Sequence, residues 1–419
     1  MLNGRQLVQV FQRYAPFDPD SRLRPEDERR TVLAANANSP LEIWGRAFAQ
    51  AAAQDGGSPM IIQFSYHALR TVGGDPGMVA APAGVAWADE LPAVVRGGAV
   101  ARTLVELFAA QYGARWVALG LDHFAVPGFR EGMAARHSLA LHRARGMIAD
   151  AREAAGADFP APAPELAAAF AAYLASEDYR RFREHFLRTV EIMRPAWGMI
   201  DTEDLPPLLD FAVTRDIVDG VRSDLGNADM ALEAEFGATG QTGEPVGYRP
   251  LKGEELGRFA RQVAAFLRYT GAEGVAYPIG MQHAAPRSQR HEPDGERLEV
   301  VGRTVLRECG RYVPFVQHGG TGAARLLRGL VAKDNVNTHF LVAAANALAD
   351  HVDAQEAGIR AGEKASCGPG IYFEAMAAIR EAAVGKLREA GTYGEGPQLG
   401  PLPSGEGQTP AGEADRGRE

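Results

Sequence analysis

The sequence predicts an α/β chain folded as a (β/α)8 barrel. Short apolar runs rich in Val, Ile, Leu, Met or Phe recur along the 419 residues, and longer Ala- and Arg-rich amphipathic stretches separate them, the alternation that builds a parallel sheet covered by helices. The runs number eight, the count that closes a barrel. Most of them end in polar residues, and a barrel delivers the last residue of every strand to one face.

In chain order the strand candidates are TVLAANA (31–37), PMIIQFS (59–65), WVALGLDH (116–123), WGMID (197–201), DMALEAEFG (229–237), GVAYPIG (274–280), YVPFVQHG (312–319) and AKDNVNT (332–338). Between them LEIWGRAFAQAAAQ, AVARTLVELFAAQYG, EELGRFARQVAAFLRYTG and FLVAAANALADHVDAQ carry apolar residues at three- and four-residue spacing, as helices with one buried face do. The polar strand ends are Asn36, Gln63 with Ser65, Asp122 with His123, Asp201, Glu235, His283, His318, and Asn335 with Asn337. Residues 125–196 are longer than one crossover helix requires and read as a helical insertion after the third strand. The barrel domain is expected over 1–390, and the Gly-, Pro- and Glu-rich stretch 391–419 as a disordered tail.

Composition narrows the function. With 46% hydrophobic and 23% charged residues the chain can bury a large core, and its net charge of -9 argues against nucleic-acid binding, which rewards Lys and Arg set against phosphates. Cys309 and Cys367 stand in no metal-ligand spacing, so a reducing, cytoplasmic setting is expected. No export signal or membrane span is read, and lysine is confined to Lys252, Lys333, Lys364 and Lys386.

Three histidines follow strand runs: His123 in LDHF, His283 in GMQHAAP and His318 in VPFVQHGGTG. Imidazoles converging at one barrel mouth suit a zinc ion with a position left open for substrate. Asp122 precedes His123, and in an extended strand end their side chains point different ways, the carboxylate being placed to move a hydroxyl proton or to orient a ligand. Of Glu233 and Glu235 only one is expected to face the barrel interior, and Glu235, nearest the strand end, is the choice. The glycines of HGGTG (318–322) let the backbone approach an anion, with Thr321 adding a hydroxyl before an expected helix start. NVNTHF (335–340), on the next strand, would share that phosphate site.

Taken in order, LDH, EAEFG, GMQH, HGGTG and NVNT resemble the successive motifs of class II fructose-bisphosphate aldolases and their tagatose-bisphosphate relatives, over about 31–340. The resemblance implies a TIM barrel in which His123, His283 and His318 bind catalytic Zn2+, Asp122 is the acid/base on the C4 hydroxyl, and Asn36 helps hold the enediolate. It implies that Asp201 and Glu235 lie near the metal, and that Gly319, Thr321, Asn335, Asn337 and Thr338, with Ser65, bind substrate and its phosphate. Backbone carbonyls at Ala284 and Gly319 would take a monovalent cation, K+ or Na+. The implied partner is a small phosphorylated sugar, in a cytoplasmic homo-oligomer, dimer or tetramer, with fructose 1,6-bisphosphate as the first substrate to expect.

The sequence departs from the family at Ala284, in the QTGE loop that leaves Glu244, and at Asn337 and His339, where the family carries acids. These positions concern the aldehyde half, so a specialised phosphoketose aldolase is the alternative. A non-catalytic accessory barrel is a second alternative. An amidohydrolase would need an HxH pair that AANANSP lacks, and a Schiff-base aldolase would have to use Lys333.

Overall fold

A computed structural model of the chain describes residues 1–74, 90–237, 248–281, 290–368 and 370–401. Eight parallel strands form one sheet in the order β6-β5-β4-β3-β2-β1-β8-β7. They are β1 (Val32–Asn36), β2 (Met60–Ser65), β3 (Val117–Ala125), β4 (Trp197–Asp201), β5 (Ala231–Glu235), β6 (Gly274–Ala276), β7 (Val316–Gln317) and β8 (Lys333–Val336). A parallel bridge between Val275 and Phe315 brings the two end strands together, so the sheet closes as a (β/α)8 barrel. All eight strands fall within the runs the sequence marks, apart from the end of β3. Two are much shorter than their runs, because Pro278 and Pro314 bring no N–H to a ladder at those points.

Between the strands lie α1 (Gly4–Arg13), before β1, then α2 (Leu41–Ala53), α3 (Tyr66–Val72) and α4 (Glu90–Tyr112). Three helices follow β3: α5 (Ser138–Ala155), α6 (Pro164–Leu174) and α7 (Glu177–Met193). Ser176 starts α7 by accepting the Tyr179 N–H at its hydroxyl, and α7 packs on α4, which places it in the helical ring; α5 reaches across to α8 (Pro207–Asp219) and α9 (Gly253–Thr270). The ring continues with α10 (Gly295–Cys309), α11 (Thr338–Arg360) and, after the short α12 (Lys364–Cys367), α13 (Gly370–Glu389), which packs on α2 and α11. Among the described residues no helix is long and apolar enough to cross a membrane.

Alternation along the strands sorts the barrel interior into layers. The lower interior is apolar: Val32, Ala34, Ile61, Ala118, Trp197, Ala231 and Val316 pack with Leu7, Val10 and Phe11 of α1. Helix α1 thus plugs the barrel's N-terminal end, and its Phe11 ring lies 5.1 Å from Trp197. Above this floor the inward side chains turn polar, with Gln63, Asn36, Asp122, Glu233, Glu235, His318, Lys333 and Asn335 all buried.

The composition of 391–419 does not separate its beginning from its end. Thr392 and Leu399 are buried, and the short helix α14 (Gly396–Leu399) lies on the barrel. Residues 402–419 lie outside the described residues.

Candidate active site

The site is built at the carboxyl ends of β1, β3, β5, β7 and β8. Asp122 is held from two sides: Asn36 Nδ2 donates to its Oδ2 at 2.7 Å and Asn335 Nδ2 to its Oδ1 at 3.2 Å. Gln63 Nε2 in turn donates to Asn36 Oδ1 at 2.7 Å, which fixes the amide so that its N–H group faces the carboxylate. Asp122 is buried, so both oxygens exchange water for these donors.

Beside Asp122 the strand breaks its alternation. The β3–β4 register shifts between Leu121 and Phe124, and His123 takes a positive φ of 45°. A bulge of this kind re-aims a side chain that simple alternation would send outward. The expectation that Asp122 and His123 point different ways is therefore corrected: Asp122 meets Asn36 and Asn335 inside the barrel, and the His123 ring lies 4.6 Å from the His318 ring, tilted against it. His123 Nδ1 also meets Asp201 Oδ2 at 3.3 Å.

A second correction concerns β5. Positions two apart on a strand share a face, so Glu233 and Glu235 both point inward, and both are buried. Glu233 Oε1 lies 2.9 Å from His318 Nε2, while Glu235 Oε1 lies 3.7 Å from His318 Nδ1. The other oxygen of Glu233 accepts from Trp197 Nε1 at 2.6 Å and from Lys333 Nζ at 2.9 Å. Glu233, which sequence reasoning set aside in favour of Glu235, and Lys333, which it weighed only as a Schiff-base amine, both belong to this network. The signals were present in the two-residue spacings Glu233-Glu235 and Lys333-Asn335.

These contacts set the charge pattern. Burial alone would lower the His123 pKa, but the carboxylates of Asp122, Asp201 and Glu233 outweigh it and raise it to about 9. Burial would raise the Asp201 carboxyl, yet its hydrogen bond and charge contact with His123 hold it well below the usual carboxylate range. Glu233 is likewise pushed up by burial and brought down to about 2 by Lys333 and His318. Burial lowers His318, with the neighbouring His123 adding to the effect against the pull of Glu233. The pocket therefore favours one positive charge at His123 and a neutral ring at His318.

That pattern fits a divalent cation. A pocket whose carboxylates favour a cation at His123 would accept a metal in place of the proton, and neutral His318 is the form that ligates. Asp201 and Glu235 stand beside the two rings. The third expected ligand, His283, lies outside the described residues, as do Ala284 and the Gln241–Glu244 loop. Among the described residues no group of three His, Cys, Asp or Glu side chains forms a metal site by itself.

The expected phosphate loop is placed differently from the sequence reading. Gly319 takes φ 70° and Gly320–Gly322 form a single 3-10 turn, but no α-helix follows before β8. The ten residues from Ala323 to Ala332 are consumed in reaching the next strand, with Leu330 and Val331 buried and Gly329 at φ 75°. The helix start beside the turn belongs to α11: the His339 N–H donates to Thr321 Oγ1 at 3.2 Å, and Asn337 precedes Thr338 at the first turn. The loops after β7 and β8 thus meet as expected. Asn38 Nδ2 donates to Asn337 Oδ1 at 3.0 Å, and Ser65 caps α3 by accepting from the Ala68 N–H at 3.2 Å.

Comparison with known proteins bears on this arrangement. Residues 198–395 match the family model described as Fructose-bisphosphate aldolase class-II. The matched segment, just under half of the chain, is thus similar to a class II aldolase domain. The match takes in all but the first residue of β4 and then β5 to β8, with Asp201, Glu233, His318 and Asn335, while their partners in the site, Asn36, Asp122 and His123, come from the strands before it. The structure is similar to that of a fructose-bisphosphate aldolase from Campylobacter jejuni, at 16% identity and a TM-score of 0.55, covering 94% of this chain and 96% of that one. At that identity the likeness shows the barrel fold. A Coccidioides immitis protein provisionally assigned as a fructose-1,6-biphosphate aldolase aligns at 16% identity over 94% of this chain and 98% of its own, with a TM-score of 0.43. No curated protein matches the sequence.

Proposed function

We propose that this protein is a zinc-dependent class II aldolase, cleaving a ketose phosphate reversibly to dihydroxyacetone phosphate and an aldehyde. Fructose 1,6-bisphosphate, giving glyceraldehyde 3-phosphate, is the first substrate to test. The observation that carries the reading is the Asp122 carboxylate, pinned by Asn36 and Asn335, set directly beside the paired rings of His123 and His318.

His123 and His318, with His283, would hold the ion, and Asp201 and Glu235 would flank it. Zinc, when bound, supplies Lewis-acid polarisation of a carbonyl. Asp122 would take the proton from the hydroxyl of the carbon that becomes the aldehyde and return it in the reverse direction. Its two amide partners keep the carboxylate at one place and leave it little freedom to turn away. Gly319, Thr321 and Thr338, at the meeting of the β7 turn and the start of α11, would take the phosphate through backbone N–H groups and hydroxyls. Lys333 takes no part as a Schiff-base amine in this reading, because its Nζ is paired with Glu233.

A second reading keeps the reaction and changes the aldehyde. Asn38 and Asn337 form an amide pair at the mouth where the family carries an acid, and His339 follows. Uncharged and imidazole groups at that rim favour a specialised phosphoketose aldolase with a different aldehyde half. The test has two parts. A chelator should abolish cleavage of fructose 1,6-bisphosphate and added zinc restore it; full activity in the presence of chelator ends the metal reading. Dihydroxyacetone phosphate offered with a panel of aldehydes then identifies the product, and a preference for another aldehyde over glyceraldehyde 3-phosphate selects the second reading.

A further inference from the structure

Directly beneath the site lies an ion pair that the proposed reaction does not use. The side chains of Lys333 and Glu233 are 1% and 0% exposed, and Nζ lies 2.9 Å from Oε2. Taking two charges out of water is costly, and apolar side chains would fill this layer of the barrel without that cost. Their placement follows from strand periodicity. Lys333 sits one layer below Asn335 and Glu233 one layer below Glu235, so the pair supports the polar layer from underneath.

The pair also has a direction. Trp197 Nε1, at 2.6 Å, and Lys333 Nζ both bond to Glu233 Oε2, and the Lys333 Nζ stands 5.8 Å from the Trp197 ring. With Oε2 anchored by two donors, the carboxylate is oriented and Oε1 is turned to His318 Nε2 at 2.9 Å. An oxygen that can only accept selects the imidazole tautomer with its proton on Nε2, leaving the lone pair on Nδ1, the nitrogen on the Glu235 side.

We infer that Lys333 and Trp197 are positioning residues which, by anchoring Glu233, set the tautomer and ring orientation of His318 for metal binding. The metal part of this inference rests on the aldolase reading above; the tautomer part does not. Groups that orient a ligating histidine typically govern metal affinity by about 10- to 100-fold.

The test uses the full chain. In the metal-free wild-type protein, 15N-resolved NMR of the imidazoles should show His318 as the Nε2–H tautomer, and an Nδ1–H tautomer overturns the inference. Zinc affinity, measured by competition with a chromophoric chelator, should weaken by about 10- to 100-fold in Lys333→Met. Lys333→Met leaves a buried carboxylate short of a donor and can destabilise the fold, so Trp197→Phe provides a second route, with a smaller loss expected. Wild-type zinc affinity in a folded variant of either kind overturns the inference. If the wild-type chain binds zinc but cleaves no ketose phosphate, the aldolase reading fails and these measurements still decide the role of Lys333.

Discussion

Asp122 shows how a single residue acquires a task from its neighbours. Its two oxygens face Asn36 and Asn335, and Gln63 fixes which end of the Asn36 amide is presented. These amides sit on β1, β2 and β8, and β8, remote in sequence, pairs with β1, so the carboxylate's position is a property of the closed barrel. Replacing Asp122 by Ala should weaken zinc binding without abolishing it, because the carboxylate's charge favours a cation at His123 while its hydrogen bonds go to amides and to neither ring. Turnover should fall by roughly 10²- to 10⁴-fold, the usual worth of a positioned acid/base. Steady-state kinetics alongside a zinc titration check both halves, and a near-normal kcat removes Asp122 from the proton-transfer role. Asp122, His123 and His318 were legible because each follows an apolar run. Glu233 and Lys333 were obscured for a physical reason: they lie below the strand ends, where a polar residue inside an apolar run looks like an interruption.

At the level of elements, all eight strands were legible from apolar runs and their spacing, and the helices between β3 and β4 from excess length. Local backbone geometry was less so. The β3 bulge at His123 depends on how β4 pairs beside it, and no residue type announces it. The missing helix after Gly322 reflects a segment that must reach β8 within ten residues, a constraint visible only once both strand ends are fixed. The β7–β8 pair makes its own prediction. Asp334 alternates with Lys333 and Asn335, so it points out of the barrel interior into the wall, where it is buried and accepts from Gln317 Nε2 at 3.1 Å. A Cβ at Gly320 would sit 2.0 Å from its Oδ1, so the turn needs glycine there. Burial, with a smaller push from Glu389 and against Lys386, raises the Asp334 pKa to about 6. For a carboxyl raised on folding, the stabilising contribution is complete below the unfolded pKa near 4 and is lost as pH rises through about 6. Asp334→Asn should therefore be more stable than wild type at pH 8, by on the order of 3 kcal/mol, with the difference vanishing near pH 4. Paired denaturant melts at the two pH values measure it. A difference that does not change with pH counts against the buried, proton-binding Asp334.

On the scale of the whole molecule, the barrel is worked at one end and sealed at the other. Helix α1 fills the N-terminal end from inside, and the segment after α13 ties the strand beginnings together from outside. Gly394 donates its N–H to Ser58 Oγ at 2.9 Å, Gly396 donates to the Gly57 carbonyl at 2.8 Å, and Tyr393 Oη donates to Gln54 Oε1 at 3.1 Å. Arg30 meets Glu395 Oε1 at 3.1 Å. Composition marks this stretch as tail because it is rich in Gly, Pro and Glu, yet its glycines serve close approach: a Cβ at Gly396 would lie 2.3 Å from Trp116 Nε1. Residues 54–58, Arg30 and Trp116 all stand just before the starts of β2, β1 and β3, so the strap lies on the face away from the site. Truncation after Ala390 removes these bonds and uncovers Trp116. At about 1 kcal/mol net per hydrogen bond, the loss should be on the order of 3 kcal/mol. The strap touches none of the side chains that hold Asp122 or His318, so kcat per folded molecule at 25 °C should stay within about two-fold of wild type, a change worth only about 0.4 kcal/mol. Denaturant melts and active-site-normalised kinetics on the same preparation separate the two effects. A truncated chain that melts like wild type would mean the strap contributes nothing, and one that keeps its stability margin but loses turnover would place the strap in communication with the mouth.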